Sequence, residues 1–195
     1  MRRPFMSSPE QLASLEGQQY LVLRPTGPVA ALYRETQRRL LRALPRRVPH
    51  PHTEHATLRG FFEPERRDAV AATIREWAAN QHPIEIAVDA IDVFPAPWQI
   101  VIARLARTDA LVAAYASLTE TLQGTGFRRL DERPLEEWTF HLSVLYGKGL
   151  GPADWAPFAA SAVQELPDGP TCTVAEAELV SYAGGVEYAE VIPLG

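Results

Sequence analysis

Two short segments of this 195-residue chain carry the residue types that acid–base chemistry needs. His55-Ala56-Thr57-Leu58 and His141-Leu142-Ser143-Val144 share the pattern His-x-(Thr/Ser)-aliphatic and stand 86 residues apart. Imidazole titrates near pH 6.5, so one such ring can take a proton while its partner gives one close to neutrality. A hydroxyl two residues further on can donate a hydrogen bond to an oxygen that is gaining charge. Strand alternation puts His55 and Thr57 on one face, and His141 and Ser143 likewise. The interleaved Ala56, Leu58, Leu142 and Val144 suit the opposite, core-facing side. A lone His-x-Thr in a strand is most often structural, but two copies at matching places in the chain point to a joint site.

The elements around these segments repeat in order. Ser8-Pro9-Glu10-Gln11 reads as a helix start, with Ser8 as cap and Pro9 at the first helical position. Tyr20 to Arg24 forms an apolar strand, and Val29 to Leu44 a helix with Tyr33, Gln37, Leu40, Leu41 and Leu44 at helical spacing. Glu54 to Phe62 is a strand, Pro64 to Asn80 a helix, and Ile84 to Phe94 an alternating strand. The second half follows with a strand at Trp98 to Leu105, a helix at Thr108 to Leu122, a strand at Trp138 to Tyr146 and a helix at Pro152 to Glu165. Thr171 to Tyr182 and Val186 to Ile192 make a hairpin about Ala183-Gly184-Gly185. Each half therefore reads strand, helix, strand, helix, strand. The expectation is an α+β fold, residues 1–195 forming a single domain of two pseudo-symmetric lobes. Each lobe is a small, mainly antiparallel sheet with outer helices, and the two face across a central cleft.

Composition narrows the classes of function. The net charge of −5 argues against an extended surface for duplex nucleic acid. The charge is uneven, with seven arginines and only Glu35 in opposition between residues 24 and 47. That run reads as a solvated helix face, or as a positive rim for a small phosphorylated ligand. No apolar run reaches the length of a membrane span, and the basic start is followed by no apolar stretch. Cys172 is the only cysteine, which fits a reducing, cytoplasmic setting and leaves no thiolate metal cage.

With these residues in view, the chain resembles the 2H phosphoesterase superfamily, which includes the 2′–5′ RNA ligase-like proteins and cyclic phosphodiesterases. His55-Ala56-Thr57-Leu58-Arg59 followed by Phe61 is similar to that family's first motif, and His141-Leu142-Ser143-Val144 to its second. The likeness runs from the Tyr20 strand to the ending Tyr188-Ala189-Glu190-Val191-Ile192-Pro193-Leu194. Two departures stand out: Gly60 separates Arg59 from the aromatic, and Ser143 replaces the commoner threonine while keeping its hydroxyl. The resemblance implies two lobes with one motif each, and a metal-independent phosphoesterase needing no cofactor. Its substrates would be small nucleotides or RNA ends bearing a 2′,3′-cyclic phosphate or a 2′–5′ bond. His55 and His141 would be the catalytic pair, and Thr57 and Ser143 would hold phosphate. A non-catalytic module binding the same ligands through the same residues is the alternative.

Secondary candidates are read from position. Arg59 falls two residues beyond Thr57, on the same face by alternation, and could bind phosphate or equally form a surface salt bridge. Tyr146 falls on the face opposite His141 in a regular strand and is left out of the site. Phe94 and Trp98 flank a Pro-rich turn and suit core packing better than base stacking. Gly147-Lys148-Gly149-Leu150-Gly151 lacks the spacing of a phosphate loop and reads as a strand-to-helix turn. His50, His52 and His55 form the rival, a His-x-His-x-x-His metal site, but it leaves His141 without a role.

Overall fold

The computed structural model describes residues 2–44 and 52–195. Helix α1 (Pro9–Ser14) starts as its sequence dictates, with the Ser8 side chain accepting from the Gln11 amide at 3.1 Å. Strand β1 (Gln18–Leu23) leads to α2 (Gly27–Ala43), then β2 (Ala56–Phe62), α3 (Arg67–Ala78) and β3 (Ile84–Phe94). The second half runs β4 (Ile100–Leu105), α4 (Asp109–Thr121), β5 (Arg129–Leu130), β6 (His141–Tyr146) and α5 (Pro152–Ala162). It ends with β7 (Gln164–Glu165), β8 (Thr171–Val174) and the hairpin of β9 (Glu176–Ala183) and β10 (Val186–Pro193). The expected α+β class holds. Short β5, short β7 and the division of the 171–182 segment into β8 and β9 are the additions.

All strand pairings are antiparallel, along the path β10-β9-β1-β2-β6-β4-β3-β7, with β5 on β2 and β8 on β3. The path has a narrow waist. β2 and β6 touch in register only at Ala56 and Leu142, so the sheet divides there into two lobes, each contributing one histidine segment.

The lobes do not coincide with the halves of the chain. β3 follows the helices of the first half yet pairs with β4 of the second, and β9 follows α5 yet returns to pair with β1. The first half lends β3 to the other lobe, and the second half lends the β9–β10 hairpin. The main core unites both lobes, joining Leu21, Leu58 and Phe61 to Leu142, Val144 and Leu145. Helix α2 belongs to the first half but packs on β6, β8 and β3. Its inner face presents Tyr33, Gln37 and Leu40, and its outer face carries Arg34, Arg38, Arg39 and Arg42 into solvent.

Both motif strands share an irregularity that alternation does not anticipate. Against β1 the register slips between the Leu21–Arg59 and Val22–Thr57 pairs, leaving Leu58 bulged in β2. Against β4 it slips between the Ile102–Ser143 and Val101–Leu145 pairs, leaving Val144 bulged in β6. The two bulges fall at the same step after each histidine. Each turns two successive residues to the core side and brings the fifth residue after the histidine, Gly60 or Tyr146, back to the cleft side.

Candidate active site

The antiparallel pair Ala56–Leu142 fixes the centre of the site. Side chains flanking that pair project to the other face, so His55 and Thr57 from one strand meet Ser143 and His141 from the other. All four line one cavity of about 160 Å³, together with Tyr20, Gly60, Leu130, Asp131, Trp138 and Tyr146. His55 stands at the residue just before β2, whereas His141 is the first residue of β6.

The two imidazoles are held in the same way. Nδ1 of His55 lies 2.7 Å from the Thr53 carbonyl, and Nδ1 of His141 lies 2.8 Å from the Thr139 carbonyl. A carbonyl only accepts, so Nδ1 carries the proton and donates it, which leaves Nε2 of each neutral ring with a free lone pair. Each ring also meets a phenylalanine edge to face, Phe5 at 4.5 Å for His55 and Phe94 at 4.9 Å for His141. Burial pushes the His55 pKa down from 6.5 to about 4, with Arg24 and His141 adding to the fall and the Thr53 carbonyl and Glu178 opposing it. His141 is lowered as well, again chiefly by burial. Both rings are therefore neutral at pH 7 in the ligand-free protein.

Ser143 is buried and Thr57 half-buried, and their hydroxyls border the cavity between the two rings. The carbonyls freed by the β6 bulge are taken up by α2. The Tyr33 hydroxyl lies 2.9 Å from the Ser143 carbonyl, and Gln37 Nε2 donates to the Val144 carbonyl at 3.0 Å. The same two side chains reach the His52 carbonyl at 3.0 and 2.8 Å, tying the approach to β2 onto the other motif strand.

Arg59 does not join the other four. The Leu58 bulge turns it to the core side, where it is 2% exposed. Its guanidinium donates to Glu132 at 2.6 Å and to Thr119 at 2.8 Å, and lies 4.6 Å from the centre of the Tyr115 ring. Tyr146 differs in the opposite sense, since the Val144 bulge returns it to the cavity. Tyr20 is its counterpart at the other end. A Cβ at Gly60 would stand 3.0 Å from the Tyr20 ring, so glycine there admits the ring. No arginine or lysine lines the cavity among the described residues. Arg104, opposite His141 in register, is instead held by Asp89, Asp92 and Glu165.

Trp98 is 51% exposed and lies outside the cavity lining, while Phe94 packs on His141. Residues 147–151 connect β6 to α5, as a strand-to-helix turn should. Of the rival metal set, His50 lies outside the described residues, and His52 packs its ring on Tyr146 at 4.4 Å. No group of three or more histidine, cysteine or acidic side chains is placed to hold a metal among the described residues. No helix among them is long and apolar enough to cross a membrane.

Two exchanged lobes, each presenting His-x-(Thr/Ser) at a common waist, define the two-histidine class of phosphoesterases. A family model for the 2′-5′ RNA ligase superfamily matches residues 25–186, and the chain belongs to that superfamily. Among solved structures it is similar to TT0787 of Thermus thermophilus, at 17% identity and a TM-score of 0.66, over 91% of this chain and 97% of that one. It is also similar to E. coli LigT complexed with 3′-AMP, at 15% identity and a TM-score of 0.56, over 90% and 95% of the two chains. Usb1 of Kluyveromyces marxianus shares the fold at 10% identity and a TM-score of 0.57, over 93% and 100%. No curated protein sequence matches the chain.

Proposed function

We propose that this protein is a metal-independent phosphodiesterase that opens 2′,3′-cyclic phosphates or cuts 2′–5′ bonds at RNA ends or in small nucleotides. The observation that carries the reading is the matched pair of imidazoles. Each is fixed through Nδ1 and borders the same cavity beside a hydroxyl. The Nε2 of one neutral imidazole takes a proton from water as its oxygen bonds to phosphorus. The other imidazole, protonated, gives its proton to the ribose oxygen as the old P–O bond breaks. Thr57 and Ser143 donate hydrogen bonds to the non-bridging oxygens as charge gathers there. Repulsion between the rings favours the state in which only one is protonated, which is the state the reaction uses. The roles exchange in the reverse direction. The complex of LigT with 3′-AMP supports the substrate class, because a 3′-phosphate is one outcome of opening a 2′,3′-cyclic phosphate.

The test is hydrolysis of 2′,3′-cyclic nucleotides, cyclic-phosphate-ended RNA oligomers and 2′–5′ dinucleotides, with and without EDTA. Turnover should survive EDTA, and His55→Ala and His141→Ala should each lower kcat by about a hundredfold or more. Turnover lost to EDTA but kept in His141→Ala would sink the reading. Binding of the same ligands without turnover would identify a non-catalytic module.

A further inference from the structure

The two histidines share one kind of support but draw it from different sources. His141 receives Phe94 from the end of β3, within its own lobe. His55 receives Phe5 from the N-terminal segment, which precedes every strand and lies outside the residues matched by the family model. We propose that residues 2–6 form a clamp for His55, in which Phe5 is a positioning residue that sets the plane of the imidazole and keeps water from it.

The segment is tied down at several points. The Phe5 and Met6 amides donate to the Glu187 carboxylate of β10 at 2.9 to 3.0 Å. Arg2 bridges Glu178 and Glu187 at 2.7 and 2.8 Å, and Arg3 reaches Glu54, the residue before His55, at 3.1 Å. The Phe5 ring is 5% exposed and packs with Val22, Val180 and Tyr182 in a small cluster separate from the main core. The Arg24 guanidinium stands 4.0 Å from its centre and that of Arg2 4.9 Å. The edge-to-face contact at 62° holds the imidazole from the side, while the Thr53 carbonyl holds its Nδ1.

Charged groups surround this contact on every element packed there. Arg2 and Arg3 come from the segment, Arg24 follows β1, Glu178 is on β9, Glu187 on β10, Glu54 precedes β2 and His141 begins β6. The carboxylates among them are engaged by arginines or backbone amides, so the apolar ring is the group whose removal chiefly admits water. Part of the burial that lowers the His55 pKa then comes from the segment and is lost with Phe5, while the charges of Arg24 and His141 that oppose its protonation remain.

NMR titration of the histidine imidazoles in wild type, Phe5→Ala and Phe5→Leu tests the clamp. His55 should titrate about one unit or more higher in Phe5→Ala, with His141 unmoved, and Phe5→Leu should fall between. The pH profile of cyclic-phosphate hydrolysis should move in the same direction. That kinetic effect rests on the function proposed above, whereas the titration reads the clamp even in a protein that turns nothing over. If Phe5→Ala does not fold, Glu187→Gln, which loosens the segment without removing the ring, should still raise the His55 titration. An unchanged His55 titration in whichever folded variant is measured overturns the proposal.

Discussion

The His55 imidazole is held largely out of water, and that burial has a cost that depends on pH. Its folded pKa of about 4 lies below the ordinary 6.5, so the folded state resists its protonation. The associated stability is complete above pH 6.5 and is lost as pH falls through 4. Melting temperature should therefore drop less steeply between pH 7 and 4 in His55→Gln than in wild type, a difference that calorimetry reads directly. Depressed pKa values for both rings also place the singly protonated pair on the acid side of neutrality, so kcat/KM for a cyclic nucleotide should rise from pH 8 towards pH 5. Arg59 predicts a different separation. Arg59→Met removes a buried partner of Glu132, which keeps Arg129 at 3.0 Å. It should cost about 2 kcal/mol in urea unfolding and leave KM within about twofold of wild type. A large rise in KM would return Arg59 to the phosphate. The four central residues were legible in the sequence because polarity and period agree at His55, Thr57, His141 and Ser143. Phe5 was not, since an aromatic near a chain end carries no period that would tie it to a histidine 50 residues away.

Strands and helices set how far such periodicity can be trusted. Element type and order follow from alternation, caps and prolines, as at Ser8 and Pro9, and the antiparallel α+β class follows with them. The bulges at Leu58 and Val144 do not. Neither carries glycine or proline, and Leu58-Arg59 and Val144-Leu145 read equally well as regular strand. One extra residue inverts the faces beyond it, which is why alternation alone sends Arg59 to the cleft and Tyr146 to the core. Helix α2 holds the second bulge in place by occupying carbonyls the ladder leaves unpaired. Gln37→Leu should therefore cost about 1–3 kcal/mol by stranding the Val144 carbonyl, while the His52 carbonyl keeps the Tyr33 hydroxyl. It should also lower kcat, because the Ser143 hydroxyl rides on the same segment. Loss of stability with kcat unchanged would show that the bulge needs no brace.

At the scale of the whole molecule, the exchange of β3 and β9 makes each lobe depend on the other half of the chain. Residues 1–97 alone would leave β1 without β9 and β3 without β4, with both edges open to water and to other chains. That fragment should show no cooperative unfolding by circular dichroism, and co-expression with residues 98–195 should restore a folded complex. An independently folded fragment would refute the dependence. Sequence periodicity could announce the strands but not this exchange, because it reports which face of a strand is buried and not which strand lies beside it. The waist at Ala56 and Leu142 bears on movement. A plate flexed about a line shifts least along the line and most at its margins. Here the line runs beneath the two imidazoles and two hydroxyls, so bending would open and close the outer cleft while the distances among the four stay nearly constant. Entry and exit of a ligand are thereby mechanically separated from the alignment of the groups that would act on it.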